Sequence, residues 1–459
     1  MFTGSYPKPD FEWSFSLPHI IRSLEPITPP SHLSETPLPS LPSPPRRSLL
    51  HPEWILTTHL VPAASPRTTP LVPVPTIPQF TPGKDKAERK AQIDALSKEL
   101  SDAKTKQWKG ELKGLGKDET KLWCCLNRYV RTKQTGSQGV TLFFAHANGF
   151  HKEIWEPTLL ALVKTMGERG AAYEVSEIWT WDAVNHGDSA LVNAGKLSGI
   201  FDWQDNARDI ANFLLHYLPG SPRREQLPTH LQPVPVSEAL NRQQRGFADR
   251  TLVGVGHSFG GASLVWMASH HPYKHLLSSL ILVDPIITGV IPFGGFSSFI
   301  NGKIQGALSR RDHWTSRDEA LRLFKAVPFF QRWDPAVLDV YIQCGTYEVP
   351  EGGVRLKMQP IHEAITFSEM MSTCEAWFHL PNIDEQTELM FVMPAGYGEP
   401  GSPEKIQEKQ QLVWRRPVNA SNVLNPKAGH LIAQETPKEL AEDIHEFLQR
   451  KYAVIKNRL

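Results

Sequence analysis

The chain has 459 residues, 40% of them apolar, and 49 Lys and Arg stand against 48 Asp and Glu. That near-neutral balance argues against a nucleic-acid partner or an anionic membrane surface, and no apolar run is long enough to span a bilayer. The length accommodates one large domain with an insertion, or two or three ordinary domains.

Of the 39 prolines, 19 lie between Pro7 and Pro82. Residues 1–50 are therefore expected to form a flexible Pro/Ser-rich tail rather than regular elements. Trp54 to Val61 is a first strand, and Pro66 to Lys84 a second Pro-rich loop. Ala87 to Lys109 is a polar, helix-prone insert with a thin apolar stripe, in a mixed-charge stretch that reads as solvated. From Lys121 the texture changes. Strands are expected at Leu122 to Tyr129, Val140 to Ala145 (VTLFFA), Glu177 to Trp181, Thr251 to Val255 and Leu280 to Val283. Helical spacing of apolar residues marks Trp155 to Met166, Trp203 to Tyr217 and Phe259 to Ser269. This alternation implies a mainly parallel sheet covered by helices, an α/β fold. It breaks after Pro285. Residues 286–387 are aromatic-rich and helix-prone, and read as a helical cap inserted into a core formed by 51–285 and 388–459. Strands resume at Leu389 to Met393 and Asn422 to Leu424, and a last amphipathic helix spans about Pro437 to Lys451.

Cys124, Cys125, Cys344 and Cys374 form neither a dense disulfide framework nor a spaced metal motif, which favours a reducing compartment. The N-terminus lacks a positively charged start followed by an apolar stretch, so no secretory signal is expected.

The sharpest local pattern is Gly254-Val-Gly256-His-Ser258-Phe-Gly260-Gly261, placed between an apolar strand and an apolar-striped helix. Such a turn presents its serine at the mouth of a sheet, with the glycines leaving room where a Cβ would collide. A serine hydroxyl needs a base to become nucleophilic at neutral pH. His430, in Ala428-Gly429-His430-Leu431 near the chain end, follows Ser258 in the order this arrangement requires. Two carboxylates compete to orient it. Asp284 ends the strand beside the nucleophile strand, and Glu399 lies in the loop AGYGEPGSPE. Adjacency favours Asp284, and both remain open. The backbone amides of Phe259 and Asn148, the latter in the turn His146-Ala147-Asn148-Gly149-Phe150, are the expected oxyanion donors. Asp182 to Ser189, a loop at the same rim, is expected to brace the nucleophile loop rather than take part in proton transfer. His146, His186, His257 and His430 lie in separate turns, so no metal and no cofactor is expected.

Together the blocks FFAHANGFHKEIWEP, WDAVNHGDSA, VGVGHSFGG, LILVDP and AGHLIAQETPKELAEDI resemble the α/β-hydrolase superfamily over roughly residues 120 to 450. Within it they resemble a fungal subfamily that includes a peroxisomal lipase of yeast and hydrolases of toxin biosynthesis. The resemblance implies Ser258 as nucleophile and His430 as base, with the acid at Asp284 or Glu399. Superfamily members with an aspartate nucleophile, the epoxide hydrolases and dehalogenases, are disfavoured by Ser258. The expected activity is serine esterase or lipase-like cleavage of a hydrophobic carboxylic ester. Lactone or carbon–carbon bond hydrolysis, or ligand binding without catalysis, are the alternatives. The partner is then a hydrophobic small molecule or lipid ester, roofed by cap aromatics such as Phe293, Phe296, Phe299, Trp314, Phe324, Phe329, Phe330, Trp333, Trp377 and Phe378. Asn457-Arg458-Leu459 partly resembles a peroxisomal address, which leaves peroxisome or cytoplasm as the expected location.

Overall fold

A computed structural model describes residues 4–9, 21–33, 37–50, 52–78, 86–132, 139–222, 226–289, 298–395 and 403–453. Eight of its strands form one sheet: β1 (Trp54–Pro62), β2 (Trp123–Arg131), β3 (Val140–Ala145), β4 (Val175–Trp181), β5 (Thr251–His257), β6 (Ser279–Val283), β10 (Glu388–Pro394) and β11 (Ala420–Asn425). The three short strands β7 (His313–Trp314), β8 (Thr346–Glu348) and β9 (Val354–Leu356) lie apart. The order across the main sheet is β1-β2-β4-β3-β5-β6-β10-β11. From β4 to β11 neighbouring strands are parallel, whereas β1 with β2 and β2 with β4 are antiparallel. The sheet is thus mixed, with its parallel part where the sequence predicts it. Pro62 pairs with Trp123. The long connection between β1 and β2 therefore leaves and re-enters at one end of the sheet, which antiparallel pairing permits without a crossover.

Alternation along β3 shows how the layers are built. Phe143 and Ala145 enter one buried cluster and Leu142 and Phe144 the other, one on each face of the sheet. Helices Trp203–Asn212 and Phe259–Ala268 pack against each other and contribute to the first cluster. Helices Glu156–Glu168 and Pro437–Tyr452 do the same in the second.

Between β6 and β10 the chain inserts the helices Ser298–Ser309, Arg317–Lys325, Pro328–Gln331, Pro335–Gly345, Pro360–Phe367 and Met371–His379. To the expected helices the structure adds a small antiparallel sheet, β7-β9-β8. Its strands are two or three residues long, too short for an alternating pattern to register in the sequence. Ser316 and Asp334 cap the helices that follow them by accepting hydrogen bonds from the amides of Glu319 and Ala336.

The described residues of 4–50 contain no helix or strand. They are nonetheless tied to the body, because Arg22 pairs with Asp202 at 2.5 Å and Glu375 at 2.7 Å, and Arg46 with Glu156 at 2.7 Å. The helix Lys86–Trp108 is not wholly solvated either. Ile93, Leu96 and Leu100 are buried, and Lys104 reaches inward to Glu369. No described helix is long and apolar enough to cross a membrane. All four cysteines are buried free thiols.

Candidate active site

Three main-chain positions outside glycine have positive φ among the described residues, and two of them are Ser258 (φ 56°) and Asp284 (φ 36°). Left-handed backbone at a side-chain-bearing residue costs on the order of 1–3 kcal/mol and persists only where its surroundings hold it. Ser258 sits between the end of β5 and the helix Phe259–Ala268. Its amide donates to the Val283 carbonyl oxygen at 3.0 Å, and its own carbonyl accepts from Ile286 at 3.2 Å. The turn closes only with glycines at its flanks. A Cβ on Gly256 would stand 2.7 Å from the Gly261 Cα, and one on Gly260 would stand 2.5 Å from the Ala145 carbonyl oxygen.

The loop after β11 brings His430 to this turn. Its Nε2 lies 3.0 Å from Ser258 Oγ, and its Nδ1 lies 2.7 Å from Asp284 Oδ2. Burial pushes the Asp284 carboxyl up. The hydrogen bond and charge of His430, with Lys409 at 4.0 Å, outweigh burial and hold it below the usual carboxylate range. An ionised carboxylate only accepts, so the hydrogen of the neutral imidazole sits on Nδ1. Nε2 is then left to accept from the serine hydroxyl. The structure therefore brings together Ser258, His430 and Asp284. Glu399 lies outside the described residues, as do Phe293, Phe296 and Asn457 to Leu459.

Two supports of His430 escaped the sequence reading. His257, completely buried, donates its Nε2 hydrogen to the His430 carbonyl oxygen at 2.8 Å. Burial pushes the His257 imidazole down to about 3, so it stays neutral. On the other side, Glu435 Oε2 accepts from the Gly429 amide at 2.7 Å, and Arg332 pairs with Glu435 at 3.2 Å. Position in the chain was the only available signal: His257 adjoins the nucleophile, and Glu435 opens the stretch before the final helix.

Phe259 begins its helix, so its amide hydrogen has no acceptor within that helix. Asn148 lies in the turn after β3. Its side-chain amide donates to the Glu363 carbonyl oxygen at 3.2 Å, while Gly149 bends the turn at φ 86°. The two expected oxyanion donors are linked through His186. That ring accepts from the Gly149 amide at 3.2 Å and stacks on the Phe259 ring at 5.8 Å between centroids. His146 fixes the other end of the turn by donating to the Ala147 carbonyl at 2.8 Å. Burial pushes it down to about 4.

The segment Asp182 to Ser189, expected to brace the nucleophile loop, hydrogen-bonds to the stretch after β3 and stacks His186 on Phe259 beside the nucleophile. Asp182 Oδ1 accepts from the Lys152 amide at 2.7 Å, and its Oδ2 from the Asp188 amide at 2.9 Å. The fully buried Lys152 ammonium lies 3.0 Å from Asp182, 2.6 Å from Asp188 and 2.9 Å from Glu153. Lys357, from the insert, adds a 2.6 Å pair with Asp188. Even-handed Lys and Arg spacing in the sequence gave no hint of this interior cluster. Gly187 is needed within it, since a Cβ there would stand 2.4 Å from the Asp182 carboxylate oxygens.

Most described cap aromatics pack the insert itself. Trp314, Phe324 and Trp333 are buried in one core cluster and Trp377 in the other. Trp333 also meets Phe150 of the turn, at 5.5 Å between ring centroids. Among the described residues no group of three or more His, Cys, Asp or Glu side chains is arranged to hold a metal ion.

Comparison with known proteins agrees with this architecture. Residues 142–443 match the model of the alpha/beta hydrolase family. A type I acyl-CoA thioesterase, mpaH of Penicillium roqueforti, is 32% identical over 203 residues, which cover 44% of this chain and 39% of that protein. The match thus spans well under half of that relative's own length. The peroxisomal membrane protein LPX1 of Saccharomyces cerevisiae is 27% identical over 247 residues, 51% of this chain and 57% of that one. The solved structure of the yeast peroxisomal α/β-hydrolase Lpx1 superposes with a TM-score of 0.59 at 18% identity, covering 89% of this chain and 91% of the other. With the family's pattern running from β3 into the final helix, the chain belongs to the α/β-hydrolase family and is related to these fungal members.

Proposed function

We propose that the protein is a serine hydrolase that cleaves a hydrophobic carboxylic ester or thioester through an acyl-enzyme. The observation that carries this reading is the relay from Asp284 Oδ2 to His430 Nδ1 (2.7 Å) and from His430 Nε2 to Ser258 Oγ (3.0 Å). In the first half-reaction His430 takes the Ser258 proton while Oγ attacks the substrate carbonyl. The amides of Phe259 and Asn148 hold the oxyanion, and Asp284 stabilises the imidazolium. The imidazolium then protonates the departing alcohol or thiol. In the second half-reaction His430 deprotonates water, which attacks the acyl carbon and releases the acid with Ser258 restored.

Support for an apolar acyl group comes from the relatives, since most described cap aromatics are used in packing. The relation to mpaH, an acyl-CoA thioesterase, favours a thioester over an oxygen ester. A labelled fluorophosphonate tests the nucleophile: wild type is expected to react and S258A to stay blank. Equal labelling of both would overturn the assignment. Release of free thiol from a medium-chain acyl-CoA, compared with hydrolysis of the matching nitrophenyl ester, separates thioesterase from esterase. Lack of turnover of either, together with absent labelling, would favour the ligand-binding alternative. We also infer a peroxisomal location, on the relation to the yeast peroxisomal protein. An N-terminal fluorescent fusion that stays diffuse in cells with marked peroxisomes would refute it.

A further inference from the structure

His430 lies on a loop with little regular structure of its own. After β11 the chain turns through Gly429 and His430 and enters a helix of four residues, Ile432–Glu435. That helix is one turn: the amides of Gln434 and Glu435 donate to the Leu431 carbonyl oxygen at 2.9 and 2.8 Å, and the Thr436 amide to that of Ile432 at 2.9 Å. A single turn gains little from its own hydrogen bonds, so its place is set by what it touches.

Two contacts come from the insert, at adjacent residues of the turn. Arg332, between the helices Pro328–Gln331 and Pro335–Gly345, pairs with Glu435 Oε1 at 3.2 Å. Two residues further on, the Asp334 amide donates to the Gln434 carbonyl oxygen at 2.8 Å. The other Glu435 oxygen, Oε2, accepts from the Gly429 amide at 2.7 Å and so closes the loop on both sides of His430. The Glu435 side chain is 5% exposed, and burial pushes its carboxyl up. The Gly429 amide and the Arg332 guanidinium oppose that push. With a donor on each oxygen the group acts as a carboxylate, and the bond from Gly429 is charge-assisted.

Other charged or titratable groups face the same imidazole. Asp284 lies 2.7 Å from Nδ1, with Lys409 4.0 Å behind it, and the neutral His257 ring is 5.3 Å away between centroids. Tyr6, pushed up to about 12 by burial and then by Asp284, is neutral. Glu435 therefore adds a second negative charge near His430, and a residue of the insert holds that charge in place.

We propose that Arg332 of the insert is a positioning residue for His430, acting through Glu435 and the Gly429 amide, so that the base is aligned with Ser258 only while the insert is seated. This rests on the reading of His430 as the base.

Inactivation by an alkyl fluorophosphonate, followed across pH, tests the proposal without requiring the natural substrate. E435A removes the acceptor of the Gly429 amide. It is expected to lower the maximal inactivation rate about tenfold, with the half-saturating concentration changed less than about twofold. R332M should lower the rate about threefold and R332K should recover most of that loss, while the double variant should be no slower than E435A, because the two residues act as one unit. In E435Q the amide oxygen still accepts from Gly429 but the charge is gone. E435Q should lose less rate than E435A, and its acid limb, where His430 takes up a proton, should move to lower pH. Thermal melts control for folding: a role in stability alone would lower the melting temperature and leave the acid limb in place. A wild-type rate in R332M or in folded E435A, an unmoved acid limb in E435Q, or effects of R332M and E435A that simply multiply would overturn the proposal. H430A keeps its fate separate from that of the hydrolase reading. Wild-type inactivation of H430A would remove both, whereas a slow H430A beside an unaltered E435A would overturn only the positioning role.

Discussion

His257 donates its Nε2 hydrogen to the main-chain carbonyl oxygen of His430 at 2.8 Å, so the residue beside the proposed nucleophile holds the backbone of the proposed base. The same ring contacts the His430 imidazole at 5.3 Å between centroids. Ser258 and His430 are thus registered to each other twice, once through the side-chain hydrogen bond and once through this neighbour.

Removing that second link is expected to misplace the imidazole without unfolding the protein. His257→Phe should lower kcat about tenfold, equivalent to ~1.4 kcal/mol, with KM changed less than twofold. His257→Gln, whose amide can still donate to the carbonyl, should recover most of the loss. Steady-state kinetics on a nitrophenyl ester, with circular dichroism as the fold control, provide the check. Equal kcat for wild type and His257→Phe would show that the contact is only structural.

Asp284→Asn should be far more damaging. Asparagine replaces one carboxylate oxygen by an NH2 donor, which invites the wrong imidazole tautomer, an effect on the order of 10⁴ in kcat where a serine triad has been so altered. E399Q is expected to stay near wild type. Crippled E399Q beside an active D284N would transfer the acid role to the loop beyond β10.

Lys152→Met tests the interior charge cluster. It would leave Asp182, Asp188 and Glu153 facing one another without the ammonium that now lies within 3.0 Å of each. Breaking a buried pair on one side typically costs about 3–5 kcal/mol, a large part of the stability of an ordinary domain. The urea midpoint should fall correspondingly. An unchanged midpoint would mean that water or lysine neighbours already satisfy the carboxylates.

Asp443 gives a pH signature. Burial, with Glu446, Glu442 and Glu439 nearby, pushes its carboxyl up from the usual range to about 7. A raised acid binds its proton more tightly in the folded state, so ionising it disfavours folding. The penalty is absent below the unfolded value of about 4, grows as pH rises, and is complete above about 7. Asp443→Asn should therefore melt higher than wild type at pH 8, with the difference vanishing near pH 4. Parallel melting curves across that range would contradict this.

Local signals carried a good part of the structure. VTLFFA is a strand with the bounds expected, because a short β-prone run with five apolar residues out of six, bounded by turn signals, leaves few alternatives. The turn at Ser258 was legible from its pattern between a strand and a helix; the collision that requires Gly256 lies within a few residues, whereas the one that requires Gly260 is with the distant Ala145. His430 was found because its block lies between a strand and a helix start. The antiparallel first strands were not legible, since pairing direction depends on which end of the sheet a connection returns to. The meeting of Asp284 with His430, 146 residues apart, was legible only as the favoured of two carboxylates, because the strand order β5-β6-β10-β11 that brings those two loops to one rim is a property of the tertiary structure. The burial of Lys152 belongs to the same class. A charge tolerates the interior only when its partners converge from separate segments, and no spacing along the chain encodes that convergence.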